Sequence, residues 1–388
     1  MDFAQGLQSA FVYLASFVVV LSVVVFVHEF GHFQVARWRG VAIDTFSIGF
    51  GKTLLGWRDK SGVQWKIGAL PLGGYVKFAD DADAMSTAPR ERIEDPAALA
   101  EARARGLFHA QPLLTRSLVV AAGPVTNFIF SILAFGLFAF IVGRDTARID
   151  QVTPGSTAQL AGVHAGDLVV SIDGRHIDDF AAFQRTVAGS LGRQLNVVVR
   201  RDSGDVSLSL TPTPSQSNPQ MGAIGVVHNS SFQSFERIDV VTALGSGVEK
   251  TWGIIAQTGS YISQVLTGRA SGNQIAGVVG IFMVSGESAS SALNVQEVSW
   301  TQRLELLGLT LLSLAAVLSV AVGFVNLLPI PILDGGHLLF YAIEGVRGGK
   351  PLPAIAQEWA YRAGFAVMAS LFLFATWNDI TRLLPGPH

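Results

Sequence analysis

The sequence predicts a polytopic α-helical membrane protein with four transmembrane helices, and its composition and apolar segments are the observations behind this prediction. Charged residues make up 14% of the 388 residues and hydrophobic residues 49%, whereas roughly a quarter of an ordinary globular protein is charged. Four apolar segments approach the roughly 20 helical residues that cross a bilayer core of about 30 Å. The weakest, at residues 359–377, contains Arg362 near one end. The lipid bilayer is therefore a predicted partner, whereas a net charge of −2 excludes nucleic acid because it offers no basic surface for phosphates.

The first segment, residues 1–33, contains an apolar run that leads into the motif HEFGH at residues 28–32. On a helix, HExxH places His28 and His32 one turn apart on one face, where both imidazoles can bind one Zn²⁺. Glu29 then lies beside the metal as a general base. Because ionisable groups at the edge of hydrocarbon are costly, they are functional by default. The motif predicts a zinc site, and the alternative is a capping or paired histidine cluster.

The second segment, residues 34–116, is predicted to face the cytoplasm and leads to the second span at residues 117–142. It holds 12 Lys and Arg, whereas the longer stretch 143–303 holds 11. An excess of Lys and Arg marks cytoplasmic connections, so both termini and residues 143–303 are predicted to lie outside the cytoplasm. Within this segment, residues 85–105 are rich in Ala, Arg and acidic residues, and either an ordered helix or a tether fits that composition.

Residues 146–212 are predicted to form a compact β-rich module. Strands are expected at Leu168–Ile172 and at Leu195–Arg200, which pairs with Val206–Leu210, and a helix is expected at Ala181–Ala188. This order and the run PGSTAQLAGVHAGDLVVSIDG resemble a bacterial PDZ domain. Such domains bind an extended peptide by adding it to a sheet edge. The resemblance implies one extracytoplasmic PDZ domain, which either captures peptides or covers the membrane site sterically.

Residues 213–303 are predicted to be a periplasmic or interfacial amphipathic segment. The stretch Val240–Leu266 is moderately apolar, but Glu249 and Lys250 interrupt it, so we expect helices on the membrane surface or against the protein. If this stretch crossed the membrane, Asp334 would lie on the membrane face opposite HExxH.

The third span, residues 304–328, leads to the third candidate zinc ligand. A zinc ion held by two histidines needs one more protein ligand and keeps its fourth position for water. The chain has no cysteine, so that ligand must be a histidine or a carboxylate. Pro329 and Pro331 break the helix, and Asp334 follows on the HExxH side of the membrane. His337 is a chemically acceptable rival, and Asp334 could instead cap the next helix.

Four motifs carry a resemblance that spans nearly the whole chain: HEFGH, GFGKTLLGWRDKSGVQWKIGALPLGGYVKF, AAGPVTNF and NLLPIPILDGGH. Together they resemble the site-2 protease family of intramembrane zinc metalloproteases, and in particular its bacterial regulator of sigma-E protease branch. The resemblance implies that His28, His32 and Asp334 bind Zn²⁺ and that Glu29 is the catalytic base. It also implies that Asn326 lies near the scissile peptide.

The resemblance further implies that residues 68–77 form a β-loop that dips into the membrane. A transmembrane helix satisfies its own carbonyls, so a protease must unwind its substrate into a strand before water can attack. Leu70, Gly73 and Gly74 lie in an apolar, glycine-rich run suited to binding such a strand, although a plain interfacial hairpin remains an alternative. The implied substrates are transmembrane proteins such as pre-cleaved anti-sigma factors or signal-peptide remnants, in the bacterial inner membrane, with the active site toward the cytoplasm.

Two departures from the family pattern are visible. Members of this branch carry two tandem PDZ domains, whereas only one is recognisable here, and residues 277–281 read GVVGI where relatives often read GPIGI. Two other function classes remain: a membrane-anchored PDZ scaffold with a non-catalytic metal site, and a membrane-anchored zincin that cuts soluble or misfolded proteins.

Overall fold

The computed structural model describes residues 3–79, 93, 95–177, 179–201, 203–215, 219–228, 235–296 and 298–383. The helices in this part of the chain are α1 (Phe3–Trp38), α2 (Pro96–Ala104), α3 (Leu113–Val142), α4 (Thr157–Leu160), α5 (Phe180–Ala188), α6 (Val240–Leu266), α7 (Val278–Leu293), α8 (Trp300–Asn326), α9 (Asp334–Val346) and α10 (Ala354–Leu383). The strands are β1 (Ile43–Arg58), β2 (Gln64–Phe78), β3 (Arg144–Asp145), β4 (Gln151–Val152), β5 (Leu168–Ile172), β6 (Arg175–His176), β7 (Leu195–Arg201), β8 (Gly204–Leu210), β9 (Thr213–Pro214), β10 (Gly222–Ala223), β11 (Val226–Val227) and β12 (Phe235–Glu236).

Four helices among the described residues are long and apolar enough to cross a membrane, namely α1, α3, α8 and α10. The predicted polytopic helical architecture is therefore confirmed at this level. Helices α1 and α10 extend beyond their predicted apolar runs at both ends, and α3 and α8 at their N-terminal ends, because helical hydrogen bonding continues into polar flanking residues. Helix α8 ends at Asn326, two residues before the predicted end at 328. The chain divides into two compact units, residues 1–135 with 247–388, and residues 136–246.

In the larger unit, small residues let the long helices approach closely. A Cβ atom added at Gly31 of α1 would lie 2.5 Å from the carbonyl oxygen of Ala122 in α3. On α8, Ala315 belongs to a buried cluster with Val20 and Val24 of α1. Close approach through glycine and alanine is typical of helix packing in lipid, and it fixes α1 against both neighbours.

Strands β1 and β2 form a bent antiparallel pair beside α1. Residues 45–48 of β1 each have two partners in β2; Ile48, for example, pairs with both Ile67 and Gly74. Residues 74–78 of β2 pair only with β1 among the described residues, so their other edge has no strand partner there. Phe46 is buried and anchors β1 to the end of α1 through Phe33.

Two helices occupy the segment predicted to be amphipathic. Helix α6 is one continuous helix of 27 residues, and its Ile254 and Ile255 pack against Phe135 and Ala316, so this part lies against the protein. Helix α7 packs against α1 and α8. We did not predict α7 as a separate apolar helix.

The glycines of GVVGI receive a structural explanation at the start of α7. The Asp379 carboxylate of α10 accepts hydrogen bonds from the backbone N–H groups of Gly277 (3.0 Å) and Gly280 (2.9 Å). A Cβ atom on either glycine would lie 2.7 Å from a carboxylate oxygen. An acidic group at a helix N-terminus satisfies free N–H groups and favours the helix dipole, so α10 supplies the cap that α7 lacks in its own sequence.

In the smaller unit, a four-stranded sheet has the order β6-β5-β7-β8. Strands β5, β7 and β8 and helix α5 lie where the sequence predicts them. The unit continues beyond residue 212, because β11 pairs with β4 through Val226 and Val152 and Ile224 enters the core. Of the stretch 85–105, whose structure the sequence left undecided, residues 85–92 and 94 lie outside the described residues. Helix α2, in the rest of that stretch, is capped by Asp95.

An ion pair joins the residue before β5 to the end of β7 inside this smaller unit. Asp167 is 2% exposed and accepts from Arg201 at 2.6 and 2.7 Å. Burial raises the pKa of Asp167, but hydrogen bonds from Arg201 and from the His164 backbone N–H outweigh it and leave this pKa below its ordinary value.

Candidate metal centre

Helix α1 places the two HExxH histidines together. The Nε2 atoms of His28 and His32 are 3.2 Å apart, as the one-turn spacing predicts. The Oδ2 atom of Asp334 lies 3.2 Å from His28 Nε2 and 3.5 Å from His32 Nε2. The three side chains are only 12%, 13% and 17% exposed, so a cluster of three metal-ligating atoms lies mostly out of solvent.

The geometry of this cluster fits a tetrahedral zinc ion. Zinc bonds of about 2.0–2.2 Å in a tetrahedron place ligand atoms about 3.3 Å apart, which matches the three separations. The buried Oδ2 of Asp334 has no hydrogen-bond partner, and a buried acceptor without a donor is costly unless a cation satisfies it. His28, His32 and Asp334 would therefore hold the metal through three positions and leave the fourth open.

The non-helical connection between α8 and α9 places Asp334 beside the two histidines. Leu333, not Asp334, is the N-cap of α9, and it makes no side-chain capping bond, so the capping role weighed for Asp334 is not seen. Cβ atoms on Gly335 and Gly336 would lie 2.3 and 2.2 Å from backbone oxygens of residues 327–330. The two glycines thus allow α9 to start directly against the broken end of α8.

A buried ion pair fixes α9 from the side. Arg116 of α3 donates to both carboxylate oxygens of Glu344 at 2.6 and 3.2 Å, and its guanidinium lies 4.9 Å from the ring centroid of Tyr341. Bidentate pairs of this kind define orientation as well as distance. Helix α9, and with it Asp334, is therefore held in register with α3.

His337, the rival ligand, faces other groups. Its ring lies 5.9 Å from the ring of Tyr361 and 6.5 Å from that of Phe340. The group of described residues that could hold a metal contains Asp334 and does not contain His337. Asn326 is the last residue of α8 and is half-buried; among the described residues, no hydrogen bond joins its side chain to the three clustered side chains.

The edge of β2 lies beside Glu29. A Cβ atom on Gly74 would be 2.9 Å from Cγ of Glu29, so the absence of a side chain lets the strand approach the glutamate. Gly73 has φ of 153° and faces the Phe50 ring, while Leu70 is 55% exposed. The structure thus brings Gly74 to the HExxH helix and leaves Leu70 free on the surface.

Helix α3 contacts both histidine rings, which the sequence analysis missed. His32 Nδ1 lies 2.8 Å from the carbonyl oxygen of Val119, and His28 Nδ1 lies 3.1 Å from the side-chain amide of Asn127. A Cβ atom on Gly123 would be 2.3 Å from His32 Nε2. Asn127 carried a usable signal, because it is polar within an apolar span, whereas the carbonyl of Val119 has no sequence signal.

An apolar cavity of about 500 Å³ lies between α3, α6 and α8. The hydroxyl of Thr251 in α6 is buried there without a hydrogen-bond partner. The lining residues are Phe128, Ile132, Val248, Thr251, Trp252, Ile255, Phe324, Leu327 and Leu328. Two of the lining residues, Phe128 and Leu327, directly follow Asn127 and Asn326 in the sequence.

Comparison with known proteins assigns the class: the chain belongs to Peptidase family M50, whose family model matches residues 16–371. A protein of Agrobacterium fabrum, provisionally named a zinc metalloprotease, is 40% identical over 96% of both chains. Metalloprotease MmpA of Caulobacter vibrioides is 38% identical over 95% of both chains. The predicted resemblance to the site-2 protease family is confirmed, and zinc is the cofactor of this zinc metalloprotease family.

Protease RseP of Yersinia pestis is a more distant relative, 29% identical over 95% of this chain and 98% of its own length. That alignment is 474 positions long, more than the 388 residues of this chain. It therefore contains insertions relative to the sequence described here.

Proposed function

We propose that this protein is an intramembrane zinc endopeptidase that hydrolyses peptide bonds within transmembrane segments of single-span proteins. The observation that carries the proposal is the cluster of His28, His32 and Asp334 on helices of membrane-spanning length, with Glu29 on the same turn. A water-activating site built at this depth suits a substrate that is itself in the membrane, because soluble loops would have to enter a cavity among apolar helices.

In the proposed mechanism, His28, His32 and Asp334 would hold the zinc ion, and Glu29 acts as the general base and then the general acid. When bound, zinc lowers the pKa of a coordinated water to about 7 and polarises the substrate carbonyl. Glu29 accepts the proton from the attacking water and passes it to the leaving amine. The surrounding helices exclude bulk water, which strengthens each of these electrostatic interactions.

The edge of β2 is the proposed binding place for the unwound substrate. Residues 74–78 have one unpaired edge among the described residues, and Gly74 lies against Glu29. A substrate strand added there would satisfy its freed backbone groups and bring its carbonyls to the catalytic helix. In this proposal Leu70, Gly73 and Gly74 bind the substrate strand and Asn326 hydrogen-bonds the peptide. The apolar cavity beside Asn326 offers space for a large hydrophobic side chain.

The smaller unit is proposed to be a PDZ domain on the extracytoplasmic side of a bacterial inner membrane, with the metal centre toward the cytoplasm. The support is its element order and the greater density of Lys and Arg in residues 34–116 than in 143–303. A folded module in that place would capture a peptide end or exclude proteins with an intact outer domain. The substrates would then be trimmed single-span proteins, such as pre-cleaved anti-sigma factors or signal-peptide remnants.

The test uses purified full-length protein in detergent with a panel of single-span peptides. Wild type should cut inside the apolar segment, and mass spectrometry locates the cut; a chelator should stop cleavage and added zinc should restore it. Glu29→Gln should keep its zinc and lose cleavage by about 10²–10⁴-fold, the usual contribution of a general base. Zinc-loaded wild type that cuts no peptide would favour the scaffold, and cleavage confined to a soluble protein such as casein would favour the zincin.

A further inference from the structure

Each metal-ligating histidine has a second ring nitrogen whose partner determines where the ring proton resides. A neutral imidazole binds a metal through the nitrogen without the proton, so the other nitrogen must carry it and needs an acceptor. For His32 that acceptor is the carbonyl oxygen of Val119, 2.8 Å from Nδ1. Because a carbonyl can only accept, His32 carries its proton on Nδ1 and turns the Nε2 lone pair toward the cluster.

The corresponding neighbour of His28 is Asn127, which has both a donor and an acceptor. Its amide lies 3.1 Å from His28 Nδ1, and the side chain is fully buried. With the NH₂ group toward Nδ1, the ring proton would have to reside on Nε2, the atom that faces Asp334, and Asn127 Oδ1 would have no partner. Rotating the amide by half a turn brings Oδ1 to Nδ1–H and leaves Nε2 of His28 without a proton, free to bind a metal, while the NH₂ group takes the former position of Oδ1.

We propose that Asn127 is a positioning residue whose side-chain oxygen accepts the Nδ1 proton of His28 and holds the Nε2 lone pair toward the metal. The inference rests on the proposed zinc site. Helix α3 then supplies the orienting acceptor for both histidines, through Val119 and Asn127. The rings are thereby set in the metal-binding tautomer before the metal arrives.

The backbone of Asn127 is itself fixed between two helices. Its carbonyl oxygen accepts from the hydroxyls of Ser131 (2.8 Å) and Ser319 (3.2 Å). A Cβ atom on Gly323 of α8 would lie 3.1 Å from Cβ of Asn127. The amide thus projects from a backbone that cannot shift easily, which a positioning role requires.

The test measures the zinc affinity of full-length protein in detergent by competition with a chromogenic chelator, in the Glu29→Gln background so that no self-cleavage interferes. Asn127→Leu keeps the size of the side chain and removes the acceptor, so zinc should bind about 10–100-fold more weakly, as for other lost second partners of zinc ligands. Asn127→Asp can only accept, so it should bind zinc within about threefold of Asn127 itself. Thr126→Val is the matched control, because it removes one polar group at the neighbouring position of α3, and it should not change the zinc affinity.

Retained zinc affinity in Asn127→Asp separates a positioning role from a structural one. The aspartate keeps the acceptor that Asn127→Leu lacks, whereas a packing defect would weaken zinc binding whether or not an acceptor is present. Thermal unfolding of the metal-free variants checks the fold, and Asn127→Ala replaces Asn127→Leu if the leucine variant does not fold. Unchanged affinity in Asn127→Leu, or a loss in Asn127→Asp as large as that in Asn127→Leu, would overturn the inference alone. Absence of zinc binding by Thr126→Val and parent protein alike would overturn the proposed function as well.

Discussion

Gly123→Ala should weaken zinc binding strongly, although it adds only one methyl group to a helix. Alanine in a helix interior is normally more favourable than glycine by about 1 kcal/mol. At this position, however, the new Cβ would lie 2.3 Å from His32 Nε2 and 2.8 Å from His28 Cε1. Reaching an ordinary contact of 3.4 Å requires a displacement of about 1.1 Å. Zinc–ligand distances tolerate only about 0.2 Å, so His32 would be lost as a ligand.

The assay is zinc stoichiometry and affinity of the purified variant, measured together with its thermal unfolding. We expect affinity to fall by at least about 100-fold, the upper end of the effect of disturbing a ligand indirectly. Gly308→Ala is the matched control, because Gly308 lies in α8 with no atom within 4 Å of an added Cβ. That variant should bind zinc as wild type does and be equally or more stable.

Wild-type zinc affinity in a folded Gly123→Ala protein would refute the reasoning, because it would mean that the ring nitrogen next to Gly123 does not bind the metal. Loss of zinc in Gly308→Ala as well would attribute the effect to membrane-helix packing in general. Only the contrast between the two glycines supports the placement of the metal.

Three further predictions follow from other contacts. Asp334→Asn should weaken zinc binding while His337→Phe leaves it unchanged, as measured by chelator competition; the reverse order would make His337 the third ligand. Arg201→Met should destabilise the smaller unit by about 3–5 kcal/mol, since it leaves Asp167 buried and unpaired, as measured by proteolysis during urea unfolding. Because the folded pKa of Asp167 is lowered, the ion pair stabilises the wild type fully above the ordinary pKa of 3.8, and this stabilisation is lost as pH falls through the folded pKa. The difference in the free energy of unfolding between wild type and Arg201→Met should therefore shrink at low pH, and an unchanged difference would contradict the pairing. Asp379→Asn should loosen the first turn of α7, seen as faster hydrogen exchange there, since an amide has one acceptor oxygen for two N–H groups.

Local patterns in the sequence were sufficient for the elements that depend on their own residues. Strand β5 occupies Leu168–Ile172 as predicted, because alternating apolar residues between glycine turns specify a strand with little outside help. The HExxH spacing likewise required only one helix. The helix break and the chemistry of zinc made both Asp334 and His337 candidates, and the family resemblance favoured Asp334. The structure brings the Oδ2 atom of Asp334 to both histidines.

Contacts between distant segments leave no comparable trace in the sequence. The N-cap residue of α7 makes no side-chain capping bond. Asp379, about a hundred residues later in the chain, caps this helix instead, and its own sequence therefore does not mark where it begins. Asn127 is a polar residue in an apolar span that the sequence analysis did not use, and only the folded arrangement of α1 and α3 shows that it faces His28. For Val240–Leu266 the sequence left two placements open, on the membrane surface or against the protein, because packing partners on other helices are not visible in one sequence; the structure packs Ile254 and Ile255 against the protein.

The most direct test of the central claim is an anomalous difference map recorded at the zinc edge from crystals of the Glu29→Gln protein. The account predicts one peak at bonding distance, about 2.0–2.2 Å, from Nε2 of His28, Nε2 of His32 and an oxygen of Asp334. A peak bound by His337 in place of Asp334, or no peak between α1 and α9 in a protein that retains zinc, would contradict it.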